Sequence, residues 1–380
     1  MISTKGFPTA WARRGEKQFI SMRAKQLSST EAPHQPVMSK EILDYFRDIK
    51  DVKVYVDGTL GAGGHALGVL KQFQSQLKTM VCFDMDPTAR AIAVDRLTGY
   101  EDSLQVLPVE GVCTPIHDLQ SKSPLSSSEK RMYLINSNFS QLAPSLQLVF
   151  GRTEGIVDAA LLDLGISSMQ VDDSERGFSF LRDGPLDMRM DPNAALSAEE
   201  VVNTWSEVKL GQIFRDYGEE RYWKSIAQRI VNAREAGTLR TTGQLVAAIG
   251  SPGGREKRKR GEAKHPATRV FQAIRIAVNG ELQSIAGVLP AAIDALSPGG
   301  RLAVITFHSL EDRIVKWAFR QSAGMSPSDE SLPDYCIPFT EPSNTKIKLL
   351  TKRPVTPPDE ELQENPRSRS AKLRVVEKLG

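Results

Sequence analysis

Val54-Tyr55-Val56-Asp57-Gly58-Thr59-Leu60-Gly61-Ala62-Gly63-Gly64-His65 is a short apolar run that ends in a carboxylate and breaks into a glycine-rich turn. A second apolar run, Met80-Val81-Cys82-Phe83, ends in Asp84 about one helix later. Nucleotide-binding α/β sheets open in this way, because Gly61, Gly63 and Gly64 let the backbone turn tightly and approach a ligand closely. The acid after the second strand, Asp84, is then placed to accept both hydroxyls of a ribose.

Two classes of nucleoside fit such a turn. Gly61 to Ala66 satisfies G-x-G-x-x-A, which leaves a dinucleotide open, although that pattern alone decides little. Asp57 favours the other class. A carboxylate at the mouth of the turn repels a pyrophosphate, whereas it attracts S-adenosylmethionine, which carries a sulfonium and an ammonium.

At 380 residues the chain exceeds one average domain and is short for three, so one core domain with an insertion is expected. No apolar run approaches the ~20 residues that cross a bilayer, and no membrane association is expected. Cys82, Cys113 and Cys336 are odd in number and far apart, with neither C-x-x-C nor H-E-x-x-H present, so neither a disulfide framework nor a zinc site is indicated. A net charge of +3 does not by itself argue for nucleic acid. The charge is clumped, however, at Arg255 to Arg260 and Arg367 to Arg374, and such clumps supply sequence-independent phosphate contacts. Residues 1 to about 30 hold Lys5, Arg13, Arg14, Lys17, Arg23 and Lys25 against Glu16 and are rich in Ser and Thr, the composition of an organellar transit peptide or a basic tail.

Strands and helices alternate along the chain. Helical spacing over Pro36 to Phe46 precedes a first strand at Val52 to Val56; a helix over His65 to Phe73 leads to strand two, and Pro87 to Leu97 reads as the next helix. Leu104 to Val109 and Met132 to Ile135 both qualify as strand three, one of them within an insertion. Ile156 to Leu162, closed by Asp163, is a buried strand four. The alternation implies a parallel, doubly wound α/β sheet that binds ligands at the carboxyl ends of its strands. From Asp172 to about His265 the pattern turns to loops and amphipathic helices, with a capping signature at Ser197 to Glu200, which indicates an inserted helical subdomain. The sheet resumes with a long helix from about Ala267 to Leu289 and strand five at Arg301 to Phe307.

Methyl transfer is an in-line displacement at a sulfonium carbon, so the protein chiefly aligns the acceptor and strips water from it. An acceptor for the hydrogens of an amino nucleophile is expected at the end of strand four, where Asp163 stands; N-capping is the alternative role for Asp163 or Ser167. Glu175 to Phe180 and Asp183 to Asp191 read as a substrate loop, in which Phe178 or Phe180 stacks on a base or packs against the sheet. His308 either touches substrate or hydrogen-bonds a loop.

Taken together, Pro36-Val37, Gly63-Gly64-His65, Asp163 to Ser168, Arg176 to Phe180, Asp183 to Asp191, Pro266 to Ile276, Phe307 to Arg313 and Asn365 to Arg374 resemble the RsmH (MraW) family over about Pro33 to Lys378. The resemblance implies a Rossmann-like class I S-adenosylmethionine-dependent methyltransferase fold and methylation of the exocyclic N(4) amino group of a cytidine in small-subunit ribosomal RNA. It places cofactor contacts on Gly63, Gly64, His65, Asp84, Phe139, Asp163 and Gln170, of which the residues alone do not single out Phe139 and Gln170. It further implies that Met132 to Ile135 is strand three and that about Glu101 to Lys130 is an insertion. This chain departs from bacterial members at that insertion, at Met169 where they usually carry proline, and in a longer, more basic Arg255 to Lys264.

The expected organisation is therefore an extension at 1–31, a methyltransferase core at 32–171 and 266–380, and a helical substrate-recognition subdomain at 172–265. Expected partners are small-subunit ribosomal RNA or a part-assembled small subunit, with a homodimer allowed. The N-terminal composition points to the chloroplast stroma over the mitochondrial matrix, with the cytoplasm as alternative. An NAD-dependent oxidoreductase and a catalytically silent RNA-binding assembly factor are the competing functions.

Overall fold

The computed structural model describes residues 36–109, 129–250, 265–325 and 345–380. The N-terminal extension, the basic run Arg255 to Arg260, Cys113 and Cys336 lie outside the described residues.

The glycine-turn run forms β1 (Val54–Asp57), followed by β2 (Thr79–Phe83), β3 (Leu104–Val109), β4 (Lys130–Ile135), β5 (Val157–Asp163), β6 (Leu296–Thr306), β7 (Ile347–Leu349) and β8 (Lys372–Lys378). They make one sheet in the order β3-β4-β2-β1-β5-β6-β8-β7. β1 to β6 are mutually parallel, while β8 is antiparallel to both β6 and β7. Strands covered on both faces become almost continuously apolar, which is why Thr79–Phe83 is buried throughout. From β1 the chain moves to β2 on one side and returns with β5 on the other, so the strand order reverses between β1 and β5. A doubly wound sheet binds its ligand at that reversal, beyond the carboxyl ends of the strands.

Leu104–Val109 and Lys130–Ile135 are both strands, paired in parallel from Leu104↔Lys130 to Val109↔Ile135, so the expected insertion over Glu101 to Lys130 is corrected. The residues alone allow either run as a strand; Pro108, which has no N–H for a central ladder, is accommodated because β3 lies at the sheet edge. The expected long helix over Ala267 to Leu289 is two helices, Pro266–Asn279 and Glu281–Ala295, divided at Gly280, whose left-handed φ of 60° ends the first. The C-terminal basic segment contributes β8, whose Leu373, Val375 and Val376 are fully buried.

The chain forms two compact units: the sheet unit, which runs to Leu164 and resumes at Ile285, and Gly165–Ser284. The sheet unit buries Tyr55, Met80, Cys82, Leu134, Leu161 and Ile305 in one core. The second unit is helical, and side-chain caps start its helices: Ser197 accepts from Glu200 N, Ser206 from Lys209 N, and Thr241 forms a reciprocal box with Gln244. Its core gathers Val202, Leu210, Phe214, Ile226, Ile230 and Leu245. The helix Pro266–Asn279, expected to belong to the sheet domain, adds Val270, Phe271 and Ile274 to this helical core instead.

Candidate cofactor and catalytic site

The turn after β1 is built on backbone that L side chains avoid. Gly61 has φ 52° and Gly63 φ 75°, both left-handed, and Gly63 caps the helix Gly64–Gln72. A Cβ on Gly64 would lie 3.3 Å from Pro36, which ties the proline of the N-terminal motif to the turn. Asp84 braces the other side: its Oδ2 accepts Gly61 N at 2.8 Å and its Oδ1 accepts Asp86 N at 2.7 Å. Each carboxylate oxygen keeps a further lone pair for a ligand hydroxyl. Burial pushes the Asp84 carboxyl up to about 6, against the pull of those two N–H donors and Arg90.

Asp57 lies beneath the turn, 1% exposed, and not at its mouth as the sequence suggested. Tyr55 Oη donates to its Oδ2 at 2.9 Å, and Thr59 N donates to its Oδ1 at 3.1 Å. Burial lifts its pKa to about 6; His65 and the two donors lower it, and neighbouring Asp163 raises it. Asp57 is thus ionised at pH 7 in a region of low dielectric. Its charge reaches a ligand through the field, without direct contact.

Thr59 joins the two strands that flank the reversal. Its Oγ1 accepts Asp163 N at 2.7 Å, fixing the residue that closes β5. His65 Nε2 stands 3.6 Å from Asp163 Oδ2, beyond a hydrogen bond. His65 Nε2 and Asp163 Oδ1 are both buried without a hydrogen-bond partner among the described residues. An orphaned buried polar atom costs about 1–3 kcal/mol, so this pair is built for polar ligand atoms. Phe139 opens the short turn Phe139–Gln141 after β4, and its Cβ is 3.2 Å from where a Cβ on Gly58 would be, so it packs on the same turn.

Gly63, Gly64, His65, Asp84, Phe139 and Asp163 thus converge at the carboxyl ends of β1, β2, β4 and β5. Gln170 belongs to the second unit, where its Oε1 accepts Ser167 N at 3.0 Å in a capping box that opens the helix Ser168–Asp172. Tyr55 and Thr59 were not singled out by the sequence: the first reads as core and the second as a turn residue.

The loop expected to meet substrate is packed differently from its sequence reading. Phe178 is 7% exposed and belongs to the helical core, and Phe180 packs edge-on to Phe271 at 5.0 Å between ring centroids. Neither ring is free to stack on a base, and the apolar core of the second unit is the reason. His308 caps the helix Ser309–Ser322, its Nδ1 accepting Glu311 N at 3.4 Å. In the C-terminal basic segment Arg374 is buried and donates to Asp312 Oδ1 at 2.7 Å, so it serves the fold and not a phosphate.

A largely parallel sheet with a glycine turn, an acid after the second strand and a buried anionic field at the strand-order reversal, which suits a cationic adenosyl donor over a diphosphate, matches an adenosyl-binding α/β methyltransferase. The chain belongs to the MraW methylase family, whose profile matches residues 31–111 and 117–379. It is 40% identical over 346 residues to ribosomal RNA small subunit methyltransferase H of Heliobacterium modesticaldum, covering 91% of this chain and 98% of that one. Among solved structures, an rRNA methylase from Streptococcus thermophilus aligns over 92% of this chain and 100% of its own, at 11% identity and a TM-score of 0.34.

Proposed function

We propose that this chain methylates the exocyclic N(4) amino group of a cytidine in small-subunit ribosomal RNA, with S-adenosylmethionine as donor. The observation that carries the proposal is the unpartnered His65–Asp163 pair at the strand-order reversal of a MraW-family chain. Its likeness to ribosomal RNA small subunit methyltransferase H supports the substrate class. S-adenosylmethionine, when bound, supplies a methyl group on a positively charged sulfur that an amine attacks directly. The residues present fit that donor. Gly63 and Gly64 admit its close approach, Asp84 has lone pairs for ribose hydroxyls, Phe139 flanks the turn, and Asp57 with Asp163 provides negative field for its cationic end. Asp163 is the residue proposed to orient the amino group and hold its hydrogen at Oδ1, the atom that lacks a partner among the described residues.

Calorimetry tests the donor: S-adenosylmethionine is expected to bind and NAD to give no heat. Asp163→Asn is expected to lower methyl transfer by about 10²-fold or more while RNA binding persists, which also separates an enzyme from a silent assembly factor. The substrate is tested by mapping methylated cytidines in small-subunit ribosomal RNA from cells with and without the protein; an unchanged map defeats the assignment. Use of a part-assembled subunit and homodimer formation belong to the same proposal, checked by methylation of isolated particles and by light scattering. The basic, Ser- and Thr-rich first 30 or so residues support a chloroplast destination, which a fluorescent fusion of residues 1–35 tests.

A further inference from the structure

The loop from Ser174 to Asp191 is held far more tightly than its polar sequence suggests. Its two limbs cross at glycines: a Cβ on Gly177 would sit 2.1 Å from Pro185 O, and a Cβ on Gly184 would sit 2.0 Å from Ser174 O. Arg176 Nη2 donates to the carbonyls of Arg189 at 3.0 Å and Met190 at 3.1 Å. Arg189 in turn clasps the Asp187 carboxylate, with Nη2 to Oδ2 at 2.6 Å. Met188 is buried at a left-handed φ of 58°, a conformation that is strained for a non-glycine residue and persists only where the surroundings over-determine it. Asn279 provides that restraint, donating to Met188 O at 2.8 Å and accepting from Met190 N at 2.8 Å.

The tip of this loop is clamped on both sides. On one, Phe180 packs against Phe271 and His265, with ring centroids 5.0 and 5.2 Å away. On the other, Asp183 Oδ1 accepts Gly243 N at 2.7 Å at the start of the helix Thr242–Ile249, and Gly184 O accepts Thr242 N at 2.9 Å. Between the clamps stand Leu181 and Arg182, both exposed. Leu181 is 85% exposed, the most exposed large hydrophobic among the described residues. Ser179 Oγ accepts its N–H at 3.2 Å and stiffens the tip further.

A single exposed leucine on a mobile loop needs no explanation. A leucine held out on a doubly clamped tip gains nothing for the fold, because it stands 85% exposed while Phe178, Leu186 and Met188 of the same loop are buried. Rigidity is what an apolar wedge requires: a side chain that separates stacked bases has to resist the stack, and aliphatic wedges beside a cation are a recurring means of doing so. We infer that Leu181 is a wedge that enters the base stack of the substrate RNA, with Arg182 pairing to the adjacent phosphate. This rests on the RNA methyltransferase reading above. It assigns to Leu181 the base contact that the sequence had suggested for Phe178 or Phe180.

The test uses the full chain, S-adenosylmethionine, and two RNAs of the same local sequence. One is a small-subunit ribosomal RNA fragment whose target cytidine is stacked in a helix beside 2-aminopurine; the other is an unstructured oligonucleotide. Wild type is expected to raise the 2-aminopurine fluorescence on binding as the stack opens. Leu181→Ala and Leu181→Ser are expected to suppress that rise and to lower kcat/KM on the structured RNA at least about tenfold more than on the unstructured one. Leu181→Met, apolar and of similar volume, is expected to restore both. Unchanged fluorescence and rates in Leu181→Ala, equal losses on the two RNAs, or a loss of S-adenosylmethionine affinity overturn the wedge. Absence of transfer by wild type to either RNA overturns the function itself, so the two failures are distinguishable.

Discussion

Asp57 carries a conflict between stability and ligand binding. Among the described residues its carboxyl has no ion-pair partner within hydrogen-bond reach, only the Tyr55 hydroxyl and the Thr59 amide, and burial holds its pKa near 6 in the fold. The unfolded chain releases that proton at the lower, ordinary value. A raised folded pKa in an acid therefore means that ionisation works against the fold, at a cost that appears as pH climbs past the unfolded value and is complete above about 6. For this shift the cost is of order 3 kcal/mol at pH 8. Asp57→Asn retains the geometry, because its Oδ1 accepts Thr59 N while its amide donates to Tyr55 Oη, a hydroxyl able to accept. The variant is expected to be more stable than wild type in denaturant titrations at pH 8, with the gap roughly halved at pH 5 and closing only below about 4.

The same ionisation favours a cationic donor. Asp57 and Asp84 both titrate near 6, so S-adenosylmethionine affinity is expected to tighten as pH rises from 5 to 7.5, with proton release on binding near pH 6. Calorimetry in buffers of different ionisation enthalpy reads both quantities. In Asp57→Asn the donor is expected to bind at least about tenfold more weakly at pH 7.5, with a shallower pH dependence. A pH-independent affinity in wild type would remove these two acids from the account of binding.

At the scale of elements, β8 is held by an ion pair that its sequence disguised. Arg374 lies on β8 and Asp312 in the first turn of the helix Ser309–Ser322, joined at 2.7 Å with the arginine side chain 9% exposed. Arg374→Ala removes both guanidinium bonds and leaves Asp312 only Lys372, 3.5 Å away and partly exposed, so it is expected to lose about 2 kcal/mol in chemical denaturation. The salt dependence of RNA binding should not change, because this guanidinium is committed inside the protein. Arg367 to Arg374 had looked like one polyanion-binding clump; its charge density concealed the alternation of buried Leu373 and Val375 along a strand. The central strands were legible for the opposite reason. Val54–Asp57, Thr79–Phe83 and Val157–Asp163 are apolar runs closed by an acid or a turn, a pattern that little besides a buried parallel strand produces. In the site, Asp84 and Asp163 were readable from their place after strands, whereas Tyr55 and Thr59 act through bonds that only the fold brings together, Thr59 reaching 104 residues along the chain to Asp163. For Phe178 and Phe180 the sequence leaves stacking and packing both open, because an aromatic in a polar loop looks free until the core that receives it is seen.

For the molecule as a whole, charge is distributed so that no overall field draws in a polyanion. The chain carries 49 basic and 46 acidic residues, which nearly cancel, and several prominent cations of the described residues are spent on internal partners, as in Arg189–Asp187 and Arg275–Glu281. Arg255-Glu256-Lys257-Arg258-Lys259-Arg260 is the exception in the sequence, a dense basic run outside the described residues. Counterion release makes each phosphate that a cation neutralises on a single strand worth a slope of about −0.7 in a plot of log affinity against log salt concentration. Replacing the basic residues of that run by glutamine is therefore expected to weaken RNA binding at low salt and to make the slope shallower by about 0.7 for each phosphate no longer neutralised. S-adenosylmethionine affinity and the identity of the methylated base should stay unchanged, because phosphate contacts carry no base information. Leu181→Ala is expected to show the opposite pattern, a poorer opening of structured RNA with an unaltered salt slope. The two variants measured side by side thus separate capture of the strand from separation of its bases, and a salt slope that survives removal of the basic run would place RNA capture elsewhere in the chain.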